Sequence, residues 1–209
     1  IVGAHYDVFG DQDGADDNAS GVAGVIETAR ILAEQKSKLP NNVDFVFYSL
    51  EEPPFYKTEQ MGSYVHAKSV QSQKDKIKGV YILEMIGFFS EQPIQSYPVG
   101  LKWIYPTHGN FIATVSNVSS RDLGAGYCTA MQQLDLLECQ RLVAPSFANA
   151  FDFSDHLNYW EFDIPAVMIT DTAFYRNGHY HTKADRLATL NLSKMANVID
   201  GLVQHLLKP

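Results

Sequence analysis

Long hydrophobic runs, cysteines and basic charge are all scarce in this sequence of 209 residues. No apolar stretch approaches the roughly 18 residues that cross a bilayer, so we expect no membrane-spanning segment. Acidic residues number 24 against 16 lysines and arginines, for a net charge of −8. That balance, without any basic run, argues against nucleic acid as a partner. Two cysteines, Cys128 and Cys139, are too few for a disulfide framework or a cysteine-based zinc site, and their pairing is left open.

Strand-like and helix-like segments alternate along the chain. Runs of β-branched and aromatic residues predict strands over 43–50, 78–85, 111–115 and 166–170. Apolar residues at helical spacing predict helices over 18–36, 61–70, 122–138 and 193–207. The alternation predicts an α/β fold with three layers, α/β/α, around a mostly parallel central sheet.

The length fits a single domain that covers residues 1–209. The chain opens on Ile1-Val2-Gly3-Ala4-His5, which is typical of the end of a buried strand. We therefore expect a fragment of a longer chain, whose sheet lacks upstream elements. The pattern leaves the oligomeric state open.

Histidines and acids recur where the predicted strands end. The positions after the successive strands are His5, Asp7, Asp16, Asp17, Glu51, Glu52, Glu84, Asp171 and His181. In open α/β sheets, ligands bind at the carboxyl ends of the strands, so we expect these side chains to meet at one edge. Histidine and carboxylate without thiolate suit zinc, manganese or cobalt. HExxH, P-loop, GxGxxG and GxSxG motifs are absent from the sequence.

Six short motifs appear in order: GAHYD (3–7), GADDNASG (14–21), EE (51–52), LEMIG (83–87), SDH (154–156) and YHT (180–182). Together they resemble the M28 family of zinc exopeptidases, which are mostly aminopeptidases with two co-catalytic metal ions. The resemblance implies the phosphorylase/hydrolase-like zinc exopeptidase fold.

The resemblance also implies a site with two divalent metal ions, most often Zn²⁺. The implied ligands are His5, Asp16, Glu52, Glu84 and His181. Asp16 would bridge the two ions, and the peptide bond between Asp16 and Asp17 would be cis. Glu51 would be the general base for a hydroxide shared by the metals, and Asp7 would hold the second ring nitrogen of His5.

Further residues are placed near the site by the same resemblance: Asp17, Asp152, Asp155, His156 and Tyr180. Asp152 would bind the α-amino group of a substrate, or else serve as a turn residue. The family's usual tyrosine before SDH is missing here. Tyr180, Tyr175 or Tyr159 would then donate to the oxyanion, or the metals would act alone.

The implied function is the hydrolysis of N-terminal residues from peptides with a free N-terminus. Three alternatives remain open from the sequence: a glutaminyl cyclase-like transferase with a single zinc ion, a carboxypeptidase, and a non-catalytic receptor-like module. The resemblance suggests a periplasmic or secreted protein.

Overall fold

Short, mostly buried strands form the centre of the molecule. They are β1 (Val2–His5), β2 (Phe45–Tyr48), β3 (Val80–Glu84), β4 (Phe111–Asn117), β5 (Glu138–Ala144) and β6 (Ala166–Thr170). This computed structural model describes residues 1–98, 100–144 and 153–208. Within those ranges the strands make one sheet of six, in the order β2-β1-β3-β6-β4-β5.

The sheet is mostly parallel, as the sequence predicts. β1 runs parallel to β2 and β3, β3 runs parallel to β6, and β4 runs parallel to β5. Only the β4–β6 pair among the described strands is antiparallel. Strand β5 was not predicted because it lies at an edge and is rich in polar residues, among them Glu138, Gln140 and Arg141.

Helices cover both faces of the sheet, which confirms the three-layer prediction. They are α1 (Gly21–Glu34), α2 (Gly62–Val70), α3 (Arg121–Leu134), α4 (His156–Glu161) and α5 (Leu192–Leu206). α5 packs against both α1 and α3 on one face, and α2 packs against α4 on the other. As found for the described residues, no helix has the length and apolar character to cross a membrane.

Alternating side chains of β3 show how the two cores are separated. Tyr81 and Leu83 belong to the core beneath α1, α3 and α5. Val80 and Ile82 point the other way, into the core shared with α2 and α4. A strand buried on both faces is the reason that the sequence reads as a continuous apolar run, and each fully buried aliphatic side chain contributes about 1.5–3 kcal/mol.

The carboxyl ends of β1, β2, β3 and β6 lie along one edge of the sheet. His5 stands opposite Tyr48 in the β1–β2 register, and Glu84 stands opposite Thr170 in the β3–β6 register. Gly3 permits this packing, because a Cβ atom there would collide with the ring of Tyr48. Polar segments that follow these strands therefore converge.

The two cysteines, whose pairing the sequence left open, form a disulfide bond. Cys128 of α3 is bonded to Cys139 of β5. The bond joins the edge strand to the helix that covers it.

Candidate metal centre

Two groups of metal-ligating side chains meet at the carboxyl edge of the sheet. The first contains His5, Asp17 and Glu84, and the second contains Asp17, Glu52 and His181. Within each group the ligand atoms lie within 4.8 Å of one another. Asp17 belongs to both groups, so one carboxylate connects them.

The first group sits at two strand ends. His5 ends β1 and Glu84 ends β3, and both are buried. The Nε2 atom of His5 lies 3.3 Å from Oε2 of Glu84 and 3.5 Å from Oδ1 of Asp17. Burial raises the pKa of Glu84, and the nearby His5 opposes that shift.

The second group uses the other oxygen of Asp17. Nε2 of His181 lies 3.1 Å from Oδ2 of Asp17 and 3.2 Å from Oε2 of Glu52. Burial lowers the pKa of His181, but the two carboxylates outweigh it and raise the pKa to about 9. The two oxygens of Asp17 thus face two different histidines.

The sequence-based expectation for Asp16 is corrected by the structure. Its carboxylate accepts hydrogen bonds from the backbone N–H of Gly87 (3.0 Å) and from Nδ2 of Asn177 (2.7 Å). Burial raises its pKa to about 6. Asp16 therefore lies outside both groups, and Asp17 takes the shared position. The cis peptide bond is likewise between Asp17 and Asn18 rather than between Asp16 and Asp17.

The turn over residues 15–20 explains why two adjacent acids point in opposite directions. Asp17 (φ −106°, ψ 88°) and Asn18 (φ −132°, ψ 36°) depart from helical geometry, so α1 begins only at Gly21. The carboxylate of Asp185 accepts from the backbone N–H groups of Asp16 (2.9 Å) and Asp17 (3.0 Å). Asp185 was not singled out from the sequence, although it lies four residues after His181.

Asn18 ties this turn to the end of β3. Its Nδ2 donates to the carbonyl oxygen of Leu83 (3.0 Å) and to Oε2 of Glu84 (3.3 Å). Its Oδ1 accepts from the N–H of Met85 (3.0 Å). Asn18 thereby sets the spacing between the turn and Glu84.

Three residues at or beside the candidate ligands have left-handed backbone conformations. They are Leu50, Met85 and His181, with φ of 61°, 49° and 55°. Leu50 precedes Glu51, and Met85 follows Glu84. Such conformations are uncommon for residues with a Cβ atom, and they are found disproportionately at functional sites.

Supporting contacts surround the first group. Nδ1 of His5 is 3.1 Å from the backbone oxygen of Asp7, whose carboxylate accepts from the N–H groups of Glu51 (3.3 Å) and Glu52 (3.1 Å). Asp7 therefore orients the turn that carries both glutamates as well as the ring of His5. Ser154, which the SDH motif contains, donates to Oε2 of Glu84 at 2.7 Å.

Glu51 lies beside the first group but belongs to neither. Its Oε2 is 3.9 Å from Nε2 of His5. Burial raises its pKa well above the ordinary value for glutamate, and the nearby acids Glu84 and Asp155 act in the same direction against the opposing effect of His5. This carboxyl group thus binds a proton more readily than a solvated glutamate does.

The remaining predicted residues differ in their positions. Asp155 is completely buried, and burial raises its pKa to about 7. His156 is buried against Trp160, with ring centroids 4.5 Å apart, and is in neither ligand group of the described chain. Tyr180 stacks on His181 with ring centroids 3.7 Å apart. Asp152 lies outside the described residues.

The three tyrosines considered as oxyanion donors lie in different surroundings. The hydroxyl of Tyr159 is 2.7 Å from the hydroxyl of Tyr48 and 2.7 Å from Nδ1 of His66, inside the core. Tyr175 and Tyr180 both line the cleft beside the site. Of the two, Tyr180 is the one stacked on a candidate ligand.

The donor atoms fit a divalent cation. Oε1 of Glu52 is buried and has no hydrogen-bond partner within residues 1–98, 100–144 and 153–208. Nε2 of His181 is buried too, and although two carboxylate oxygens lie within 3.2 Å, neither is aligned for a hydrogen bond. Buried polar atoms are rarely left without a partner, and mixed nitrogen and oxygen donors suit zinc and related ions. The residues present therefore match the metal that such a cluster would hold.

An open cleft with a cavity volume of about 100 Å³ begins at the metal-ligating residues. Its inner end is formed by Asp17, Glu51 and Glu84. Its walls are mostly apolar and include Phe111, Ala113, Val115, Leu142, Phe153, Met168 and Phe174. Tyr97 and Tyr105, from the long loop before β4, close one side.

A buried histidine–carboxylate cluster at the carboxyl edge of a mostly parallel sheet is the arrangement of an α/β metalloenzyme. The sequence model for Peptidase family M28 matches residues 1–206, and the chain belongs to this family.

Two relatives illustrate the range of similarity. The chain is 44% identical to the Escherichia coli (strain K12) protein "Uncharacterized protein YfbL", over 97% of this chain and 64% of that protein. It is 26% identical to "Leucine aminopeptidase 1" of Ajellomyces capsulatus (strain NAm1 / WU24), over 99% of this chain and 52% of that protein. The chain thus spans between about half and two thirds of the length of these relatives.

Solved structures share the fold. The LapA aminopeptidase of Legionella pneumophila has a TM-score of 0.71 at 23% identity, covering 98% of this chain and 50% of that one. BSAP, a zinc aminopeptidase of Bacillus subtilis, has a TM-score of 0.70 at 18% identity, covering 98% and 44%. Porphyromonas gingivalis glutaminyl cyclase has a TM-score of 0.67 at 20% identity, covering 98% and 70%.

Proposed function

We propose that this chain is the catalytic part of a zinc-dependent aminopeptidase, which removes N-terminal residues from peptides. The observation that carries the proposal is the position of Asp17, whose two oxygens face His5 and His181 beside Glu51 at the end of an apolar cleft. Membership of Peptidase family M28 and the names of the aminopeptidase relatives support this choice of reaction.

Five residues would hold two divalent ions, namely His5, Asp17, Glu84, Glu52 and His181. When bound, zinc would supply Lewis-acid polarisation of the scissile carbonyl and acidify water. The carboxylates of Asp17, Glu52 and Glu84 would be offset by the positive charge. Asp7 would keep His5 oriented through its second ring nitrogen, and Ser154 would keep Glu84 oriented by donating to Oε2.

Glu51 would move the proton in this reaction. Its carboxylate accepts a proton from the attacking water and then passes it to the nitrogen of the leaving amine. Burial and the neighbouring acids raise its pKa, which makes Glu51 a stronger base for the first transfer than a solvated glutamate. Tyr180 would donate a hydrogen bond to the substrate's carbonyl oxygen from the wall of the cleft.

The apolar walls would hold the side chain of the N-terminal residue. Phe111, Val115 and Met168 form an apolar surface that suits a leucine-like or aromatic side chain. Arg141 also lines the cleft, but it is an exposed residue of the edge strand β5. Substrates with large apolar N-terminal residues are therefore expected to be preferred.

The test compares cleavage of leucyl-p-nitroanilide with its N-acetylated form by the zinc-loaded protein. The free-amine substrate should be cleaved and the blocked one should not. Glu51→Gln should lower kcat by about 10²–10⁴-fold while retaining zinc. The exposed Glu59 offers a matched control, so Glu59→Gln should behave as wild type. Near-normal turnover by Glu51→Gln would contradict the assigned role, and cyclisation of glutaminyl peptides without anilide cleavage would favour a cyclase.

We also infer that the protein works in an oxidising compartment, periplasmic or secreted. The support is the Cys128–Cys139 disulfide, since such bonds persist outside the reducing cytosol. Alkylation of protein taken directly from the native host should modify neither cysteine before reduction. Two alkylated thiols in that sample would contradict the inference.

A further inference from the structure

The two candidate histidine ligands are held in different ways. The ring of His5 has its second nitrogen, Nδ1, 3.1 Å from the backbone oxygen of Asp7. For His181, whose side chain is 21% exposed, no hydrogen bond joins Nδ1 to another residue within 1–98, 100–144 and 153–208. Histidines that bind metals nearly always donate their other ring N–H to an acceptor, which fixes the ring's orientation. Within the described chain, His181 is therefore not oriented in the way that His5 is.

Two aromatic rings enclose the imidazole of His181. The ring of Phe9 lies parallel to it, with centroids 4.2 Å apart and an interplanar angle of 1°. Tyr180 stacks on the opposite side at 3.7 Å and 17°. The imidazole can still slide within its plane, but it cannot tilt without losing both contacts.

The position of Phe9 indicates that this contact is its main role. Phe9 lies in the loop after β1, and 38% of its surface is exposed, so it adds little to the hydrophobic core. Aromatic pairs contribute about 0.5–1.5 kcal/mol beyond the area that they bury. A half-exposed phenyl ring lying flat on a metal-ligating imidazole is thus suited to orienting that imidazole.

We propose that Phe9 is a positioning residue for His181, and that the ring stack replaces the missing hydrogen bond at Nδ1. This inference rests on the metal site of the proposed function. Removal of the Phe9 ring should weaken zinc binding at the group of Asp17, Glu52 and His181. The group of His5, Asp17 and Glu84 should be affected much less, because His5 is held by Asp7.

The test measures zinc affinity by competition with a chromophoric chelator, so that it does not depend on turnover. Phe9→Ala should weaken one of two zinc ions by about 10-fold, as removal of a supporting residue does in other metal sites. Phe9→Tyr keeps the ring and should bind zinc as wild type does. Phe47→Ala removes a phenyl ring of similar exposure (41%) from β2 and should also leave zinc affinity unchanged.

Two further measurements separate positioning from a general effect on folding. The metal-free Phe9→Ala protein should keep the urea midpoint of the wild type, as expected for an exposed position. Tyr180→Phe keeps the stack but loses the hydroxyl, so it should retain zinc affinity while lowering kcat.

The inference is overturned if Phe9→Ala binds both ions as tightly as wild type, or if both ions weaken equally along with the metal-free fold. It is also overturned if the wild-type protein binds no zinc. Failure of the proposed function appears differently, as a wild-type protein that binds zinc but does not cleave leucyl-p-nitroanilide.

Discussion

Replacing Asn18 with alanine should destabilise the metal-free protein far more than the small size of the asparagine side chain suggests. The side chain is buried and bonded at both ends of its amide group. Alanine would leave the carbonyl oxygen of Leu83 and the N–H of Met85 without this partner, at a depth where water cannot replace it. The turn that carries Asp17 would also lose its link to β3.

The magnitude follows from the groups left unpaired. A buried polar group that loses its partner costs about 1–3 kcal/mol. Two such groups give an expected loss of about 2–6 kcal/mol in the free energy of unfolding. That is a large part of the roughly 5–15 kcal/mol that a domain usually has.

The assay is urea-induced unfolding in the presence of a chelator, followed by fluorescence and circular dichroism. Asn191→Ala is the matched control, because Asn191 is exposed and accepts one hydrogen bond from the N–H of Lys194 (3.0 Å) at the start of α5. A cap of this kind costs about 1 kcal/mol when it is removed. If Asn18→Ala lost no more stability than Asn191→Ala, the structural role derived for Asn18 would be refuted.

Three more predictions follow from the site and its surroundings. Asp17→Ala should lower bound zinc from two ions to fewer than one per chain by atomic emission, whereas Asp16→Asn should keep both ions; the opposite result would restore Asp16 as the shared ligand. Ala113 lies in the wall of the cleft, so Ala113→Leu should narrow the space for a large side chain. The ratio of kcat/KM for leucyl-p-nitroanilide to that for alanyl-p-nitroanilide should fall by about 10-fold. An unchanged ratio would place the substrate side chain elsewhere. Cys128→Ala combined with Cys139→Ala removes a cross-link with a sequence separation of 11 and should lower the free energy of unfolding by about 2–3 kcal/mol. Equal urea midpoints for the oxidised wild type and that double variant would contradict this estimate.

The central strands were predictable because they are buried on both faces. The run over 78–85 contains β3, and the run over 166–170 coincides with β6. The polar edge strand β5 and the short helix α4 were not predicted. A half-exposed edge strand lacks a continuous apolar run, and six residues are too few to display a helical period.

The sequence alone could not predict which of the adjacent acids, Asp16 or Asp17, faces the histidines. Both are acidic, both are buried, and both precede α1. Which carboxylate faces the histidines depends on the backbone angles of the turn and on contacts with Gly87, Asn177 and Asp185, which are distant in the chain. Sequence spacing cannot distinguish two neighbours whose side chains diverge.

The role of Phe9 also could not be predicted from the sequence, because its side chain has no ligating or titratable group. A phenylalanine in a loop carries no sign of a role. Its contact with His181 joins two positions that are 172 residues apart in the chain. Only the folded arrangement shows that the ring lies flat on a candidate ligand.

The sequence by itself determined the layered α/β architecture and the kinds of atoms that gather at one sheet edge. Apolar periodicity specifies which segments must be buried, and parallel strands bring their polar carboxyl ends together. The tertiary structure alone decided that Asp17 rather than Asp16 is shared by the two groups, that Cys128 and Cys139 are bonded, and that two aromatic rings hold His181. The physical reason is that these features depend on side-chain directions and on contacts between distant segments, which exist only once the chain has folded.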